Sequence, residues 1–239
     1  MLPVREGFVE LDVPIHYRMY GTGAETVVFL HGNSEDWKCF KRQIEPFAEK
    51  YTVLLIDSRG HGRSGYDYKK KISIDLMADD LYQVLQHLGL EKVYLVGFSD
   101  GGNVAMAFSK KHPECLIKMV LAGANMYPRG MKTNFHLLTI SNWLVVWIQG
   151  IYYVSRRKRR SIVGLMLFEP KFKPADFADV EVPVLVMAGE NDMIKPRHTL
   201  LIKESFLNSK IAIIKNSDHF IFYRQADVTN KEIMDFFEE

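Results

Sequence analysis

The junction at residues 95–102, Leu-Val-Gly-Phe-Ser-Asp-Gly-Gly, constrains this chain more than any other feature. Ahead of it, residues 92–97 (Lys-Val-Tyr-Leu-Val-Gly) have the β-branched and aromatic content of a short buried strand. Behind it, residues 103–111 read as a helix, with Ala105 and Ala107 near its start. Ser99 falls between the two in a Gly-x-Ser-x-Gly frame. A serine on so sharp a strand-to-helix turn needs small neighbours, because the backbone there is strained and closely packed. Its hydroxyl then stands above the carboxyl ends of the strands, at the positive end of a helix dipole.

The rest of the chain supplies a sheet for that turn. Extended runs at 8–13 and 15–20, joined through Pro14, suggest an opening antiparallel pair. Further strands are expected at 26–30, 51–56, 93–96, 117–121, 182–187 and 211–214. Helical patterns fall between them at 37–50, 74–88, 196–207 and 229–237. Such alternation implies crossover connections, hence a mostly parallel eight-stranded sheet with helices on both faces. At 239 residues the chain is long enough for one α/β domain over 1–239, and two are not required. A formal net charge of +2 gives no global field for nucleic acid. Cys39 and Cys115 make no disulfide framework, the N-terminal Met-Leu-Pro-Val-Arg-Glu-Gly is charged where a signal peptide needs an apolar core, and no uninterrupted apolar run reaches about twenty residues. The expectation is a soluble, reduced, cytoplasmic protein.

A serine nucleophile needs a base, an orienting acid and donors for an oxyanion. Of eight histidines, His16, His31, His61, His87 and His112 precede Ser99 or follow it closely, and His136 lies in an insertion. His198 sits inside an expected helix. His219, in Asn216-Ser-Asp-His-Phe220 after the last strand, is the candidate base. The acid should end a late strand, and Asp192 closes the Gly-x-x-Asp turn after 182–188. Glu190 lies too near the strand, Asp218 reads as a solvated loop residue, and Leu121-Ala-Gly-Ala-Asn125 holds no carboxylate. After residues 26–30 comes His31-Gly32-Asn33-Ser34, where Gly32 allows close backbone approach. The amides of Asn33 and Asp100 are therefore the candidate oxyanion donors.

Together these motifs resemble the α/β-hydrolase superfamily over nearly the whole chain. That resemblance implies the triad order Ser99, Asp192, His219. The loop Asp57-Ser-Arg-Gly-His-Gly-Arg-Ser64 is a family hallmark whose expected role is structural. Relatives with an aspartate nucleophile are excluded: Asp100 could take that place only with glycine at Phe98. The Gly-Phe-Ser-Asp-Gly-Gly elbow is similar to that of valacyclovirase-like hydrolases. The likeness implies that the Asp100 carboxylate meets a substrate amino group; the alternative is that it caps the following helix.

Residues 126–179 carry no clear strand and read as a small helical cap, with Trp143, Trp147, Tyr152 and Tyr153 crowded together. Trp143 and Trp147 are candidate substrate contacts in an apolar, aromatic pocket roof. The run into Arg156-Arg-Lys-Arg-Arg160 reads as a cap helix with a solvated basic end. An interfacial helix on an anionic membrane surface is the alternative. The expected function is a serine hydrolase of small carboxylic esters, working through an acyl-enzyme on Ser99 with no metal or organic cofactor. Amide, aminoacyl-ester, lactone and carbon–carbon bond hydrolysis, a membrane-associated lysophospholipase and a low-turnover ligand receptor are the alternatives.

Overall fold

The computed structural model describes residues 3–239; Met1 and Leu2, the start of the charged N-terminal stretch, lie outside the described residues. Eight strands form one sheet: β1 (Arg5–Glu10), β2 (Pro14–Tyr20), β3 (Thr26–Leu30), β4 (Thr52–Ile56), β5 (Val93–Phe98), β6 (Leu116–Ala122), β7 (Val184–Gly189) and β8 (Ser209–Ile214). Their order is β1-β2-β4-β3-β5-β6-β7-β8. The pairs β1–β2 and β2–β4 are antiparallel, and every later pair is parallel. The opening pair begins earlier than the apolar pattern suggested, because Arg5 and Glu6 join the ladder on the edge strand through Met19 and Arg18.

The central strands are buried on both sides, and their side chains alternate between two cores. From β5, Val93 and Leu95 enter one core while Tyr94, Val96 and Phe98 enter the other. The first core is closed by α2 (Ile74–Leu88), α3 (Asp100–Lys111) and α6 (Pro196–Ser205). The second is closed by α1 (Lys41–Ala48), the short α7 (Ile221–Arg224) and α8 (Ala226–Glu238). Helix α2 shows why its sequence stops and starts where it does. Ile74, Met77, Ala78, Leu81, Val84 and Leu85 line one face. Ser73 accepts the Leu76 amide at 3.2 Å as N-cap, worth about 1 kcal/mol. Gly89 ends the helix in the left-handed region at φ 69°, with the Leu90 amide returning to Leu85 O. The helix expected over 37–50 is split into a 3-10 turn (Trp37–Phe40) and α1, and Asp36 caps the turn by accepting the Lys38 amide.

Residues 126–179 hold α4 (Thr133–Tyr152) and α5 (Val154–Phe168), joined at Tyr153. The hairpin rises above the carboxyl ends of the parallel strands. Helix α5 is its inner member, burying Ile162, Val163, Gly164 and Leu165, while α4 buries little beyond Thr139, Val146 and Gly150.

Candidate active site

The elbow forms because its neighbours are small. Ser99 has φ 54° and ψ −118°, a backbone state costing roughly 1–3 kcal/mol for a residue with a side chain. Its amide donates to Ala122 O at 2.7 Å, fastening the turn to β6. At Gly101 any Cβ would lie 2.0 Å from Leu30 O, so the α3 backbone can cross β3 only through glycine.

Around this turn the structure brings together the three residues expected to act in relay. His219 Nε2 lies 3.0 Å from Ser99 Oγ, and His219 Nδ1 lies 2.7 Å from Asp192 Oδ1. Asp192 is buried and also accepts the amides of Ile194 at 2.9 Å and Gly189 at 3.3 Å. Burial alone would raise its pKa. The hydrogen bonds from His219 and the two amides outweigh that and hold it below the usual carboxylate value. The carboxylate therefore stays ionised and fixes the imidazole with Nδ1–H towards it, leaving Nε2 free to take the serine proton.

The rejected partners are accounted for elsewhere. His198 is buried, accepts the Met126 amide through Nε2 at 2.9 Å, and is pushed down to about 4, first by burial and then by Lys195 and Arg197. Glu190 accepts the Asn216 amide, and Asp218 accepts that of Phe220 at 2.9 Å. In the 57–64 loop, Arg59 is clamped between Asp80 and Asp12, and Asp57 accepts the amides of Trp37 and Arg63.

The turn after β3 presses on Ser99: a Cβ on Gly32 would be 3.1 Å from Ser99 Cβ. The amides of Asn33 and Asp100 meet no acceptor among the described residues, so both remain available to an incoming oxygen. The side chain of Asn33 is not free, because its Nδ2 donates to Asp100 Oδ2 at 2.8 Å and to Ile162 O of α5 at 2.7 Å. Asp100 accepts from Asn103 as well, at 3.2 Å. The Asp100 carboxylate, read from the sequence as a contact for a substrate amino group or as a cap of the following helix, is thus engaged by side-chain amides. It is buried against two amide side chains, and burial pushes its pKa up to about 6.

Beside Ser99 and His219 lies a hollow of about 260 Å³. Phe98, Met166, Met193 and Phe220 form its apolar wall, and Glu35 is its one acidic group. Glu35 accepts the Gly32 amide at 3.1 Å, and burial raises its pKa. Trp143 and Trp147 do not reach this hollow. Trp143 packs edge-on against Phe168, 5.3 Å between centroids, and lines a separate hollow with Ile72 and Leu165. Trp147 points outward and is 41 % exposed. The reason is that α5, not α4, lies against the site.

Five lining residues lie outside the sequence expectations, and four of them carry a signal. Phe98 directly precedes Ser99, and Met193 and Phe220 directly follow Asp192 and His219 on the same loops. Glu35 stands three residues after Gly32, within reach of its amide. Met166 had none, since its direction depends on how α5 lies.

Fold and site together define a hydrolase class, and the comparisons agree: residues 25–162 match the model of the alpha/beta hydrolase fold family, and the chain belongs to that family. Among curated relatives it is 30% identical to "2-hydroxy-6-oxononadienedioate/2-hydroxy-6-oxononatrienedioate hydrolase 2" of Pseudomonas putida, over 98% of this chain and 94% of the relative. A solved structure described as an N-acyl homoserine lactone degrading enzyme is 26% identical, with a TM-score of 0.79 over 96% of this chain and 100% of that one. A meta-cleavage product hydrolase from Pseudomonas fluorescens IP01 shares the fold, with a TM-score of 0.80 at 19% identity, covering 99% of this chain and 98% of that one. The chain is thus a hydrolase of this family.

Proposed function

We propose that the protein hydrolyses small, uncharged carboxylic esters through an acyl-enzyme on Ser99. One observation carries this reading: the Ser99–His219–Asp192 relay, at 3.0 and 2.7 Å, opens onto a hollow walled by Phe98, Met166, Met193 and Phe220 that has no lysine or arginine in its lining. Ser99 Oγ attacks the ester carbonyl as His219 Nε2 takes its proton. The negative oxygen of the tetrahedral intermediate is held by the amides of Asn33 and Asp100, each such donor being worth about 3 kcal/mol. His219 returns the proton to the departing alcohol. A water, deprotonated by the same nitrogen, then releases the acid and restores Ser99.

A second reading has its own support. Carbon–carbon hydrolysis of an oxo-acid, the chemistry that the names of the curated relatives describe, needs a place for carboxylate. A neighbouring hollow of about 440 Å³ shares Glu35 with the first and is lined by Lys158, Arg159 and His61. Both readings use Ser99, so the discriminating measurement is kcat/KM on p-nitrophenyl esters of graded length beside a 2-hydroxy-6-oxo-dienoate. A burst with short esters, and fluorophosphonate labelling lost in Ser99→Ala by about 10⁴-fold or more in rate, is the expected outcome. Faster turnover of the dienoate would replace the ester reading, and absence of labelling would overturn both.

A further inference from the structure

We infer that the outer face of α4, with the basic segment that follows it, is a docking surface for an anionic lipid bilayer. Helix α4 contains no Asp, Glu, Lys or Arg from Thr133 to Tyr152, and apolar side chains occur all round it. A helix of that composition normally lies covered on every side. Here only the side that carries Thr139, Trp143, Val146 and Gly150 is covered, by α5 and the turn before α4. On the opposite side Leu138 (66% exposed), Leu144, Ile148, Ile151 and Tyr152 (77%) face outward along a rod about 30 Å long. Contiguous apolar surface of that extent marks a partner.

The charge beside it says which partner. Arg156, Arg157, Lys158, Arg159 and Arg160 stand in consecutive positions immediately after the apolar face, and none pairs with a carboxylate among the described residues. Arg157 donates through Nε to Gly150 O, which fastens the basic turn to the end of α4. An apolar strip ending in uncompensated cations is complementary to acyl chains lying beneath anionic headgroups. A second copy fits less well. Pairing α4 with itself adds a second set of five cations, and α4 has no acid to offset either set. No helix among the described residues is long and apolar enough to cross a membrane, so the helix would lie along the surface. Docking through α4 and Arg156 does not use Ser99, whereas Lys158 and Arg159 also line the hollow beside Glu35.

The test is co-sedimentation of the full chain with phosphatidylcholine vesicles, with and without phosphatidylserine, at low and high salt. Binding to the anionic vesicles that weakens with salt is expected. Arg156→Gln should weaken it about fivefold, the equivalent of about 1 kcal/mol for one cation at such a surface. Leu144→Gln/Ile148→Gln/Ile151→Gln should abolish it while keeping ester turnover in solution unchanged. Ser99→Ala should bind like wild type, which separates this inference from the proposed chemistry. No binding by wild type, binding indifferent to phosphatidylserine, or undiminished binding by the triple variant overturns it. So does a wild-type dimer that the triple variant dissociates, since the face would then belong to a second copy.

Discussion

The sheet-borne side of the pocket and the cap-borne side are built by opposite means. On the sheet side, Ser99, Asp192 and His219 each sit at or just beyond a strand end. The Ser99 amide donates to Ala122 O, the amides of Gly189 and Ile194 donate to Asp192, and Asp192 and His219 are buried. On the cap side, α4 and α5 are fastened by a handful of polar contacts: Asn33 to Ile162 O, Tyr66 Oη to Ser161 Oγ at 2.8 Å, and Arg157 to Gly150 O. Reacting atoms must be held to a fraction of an ångström, and buried strand ends supply that rigidity. A covering hairpin needs no such precision, and regions with few buried contacts open at lower cost than the core.

Two glycines break or sharpen this contrast most directly. At Gly101 a methyl group would meet Leu30 O at 2.0 Å, a backbone atom that cannot swing away. At Gly150 the nearest atom to a new methyl is Arg157 Cγ at 3.7 Å, in ordinary contact. Gly101→Ala is expected to lose more than about 4 kcal/mol or fail to fold. Gly150→Ala should be stable to within about 1 kcal/mol of wild type, with helix propensity favouring the alanine. Urea unfolding of both variants measures the difference. Similar values would mean that the elbow tolerates far more than its geometry implies.

A smaller effect comes from Asp100, a buried carboxyl on the rigid side. Its pKa in the folded chain, about 6, lies above the unfolded value near 3.9. Between those limits the folded state holds a proton that the unfolded state has released. Stability therefore falls as pH rises through this window and levels off above it. The total is about 3 kcal/mol as an order of magnitude. Asp100→Asn should remove that slope, so the stability difference between variant and wild type should grow from pH 4 to 6 and then stay constant. A difference independent of pH would show that the carboxyl is solvated or already paired in the native chain.

The sheet side was also the legible side, for physical reasons. Parallel strands place their carboxyl ends at one edge, so residues just after β5, β7 and β8 must converge even though 120 positions separate Ser99 from His219. Chain order then selects Asp192 and His219 without reference to side-chain packing. The cap offered no equivalent rule. Its aromatic residues marked Trp143 and Trp147 as the roof, but which helix touches the pocket depends on how a two-helix hairpin leans. Asn33 donating to Ile162 O fixes α5 as the inner member. The setting of Asp100 is equally invisible in the motif, which says nothing of the two asparagine amides that enclose its carboxylate.

The smallest effects test the cap's inner and outer faces against each other. Met166 of α5 forms part of the wall beside Ser99, whereas Trp147 of α4 points to solvent, although Trp is the larger side chain. Removing Met166 enlarges the hollow next to Ser99, and differential binding of one or two methylenes reads out as selectivity between chain lengths. Met166→Ala is expected to move the preferred p-nitrophenyl ester to a longer acyl chain, by about threefold to tenfold in relative kcat/KM. Trp147→Ala should leave the profile of water-soluble esters unchanged. A reversed result, with Trp147 setting chain length and Met166 neutral, would mean that α4 rather than α5 closes over the bound substrate.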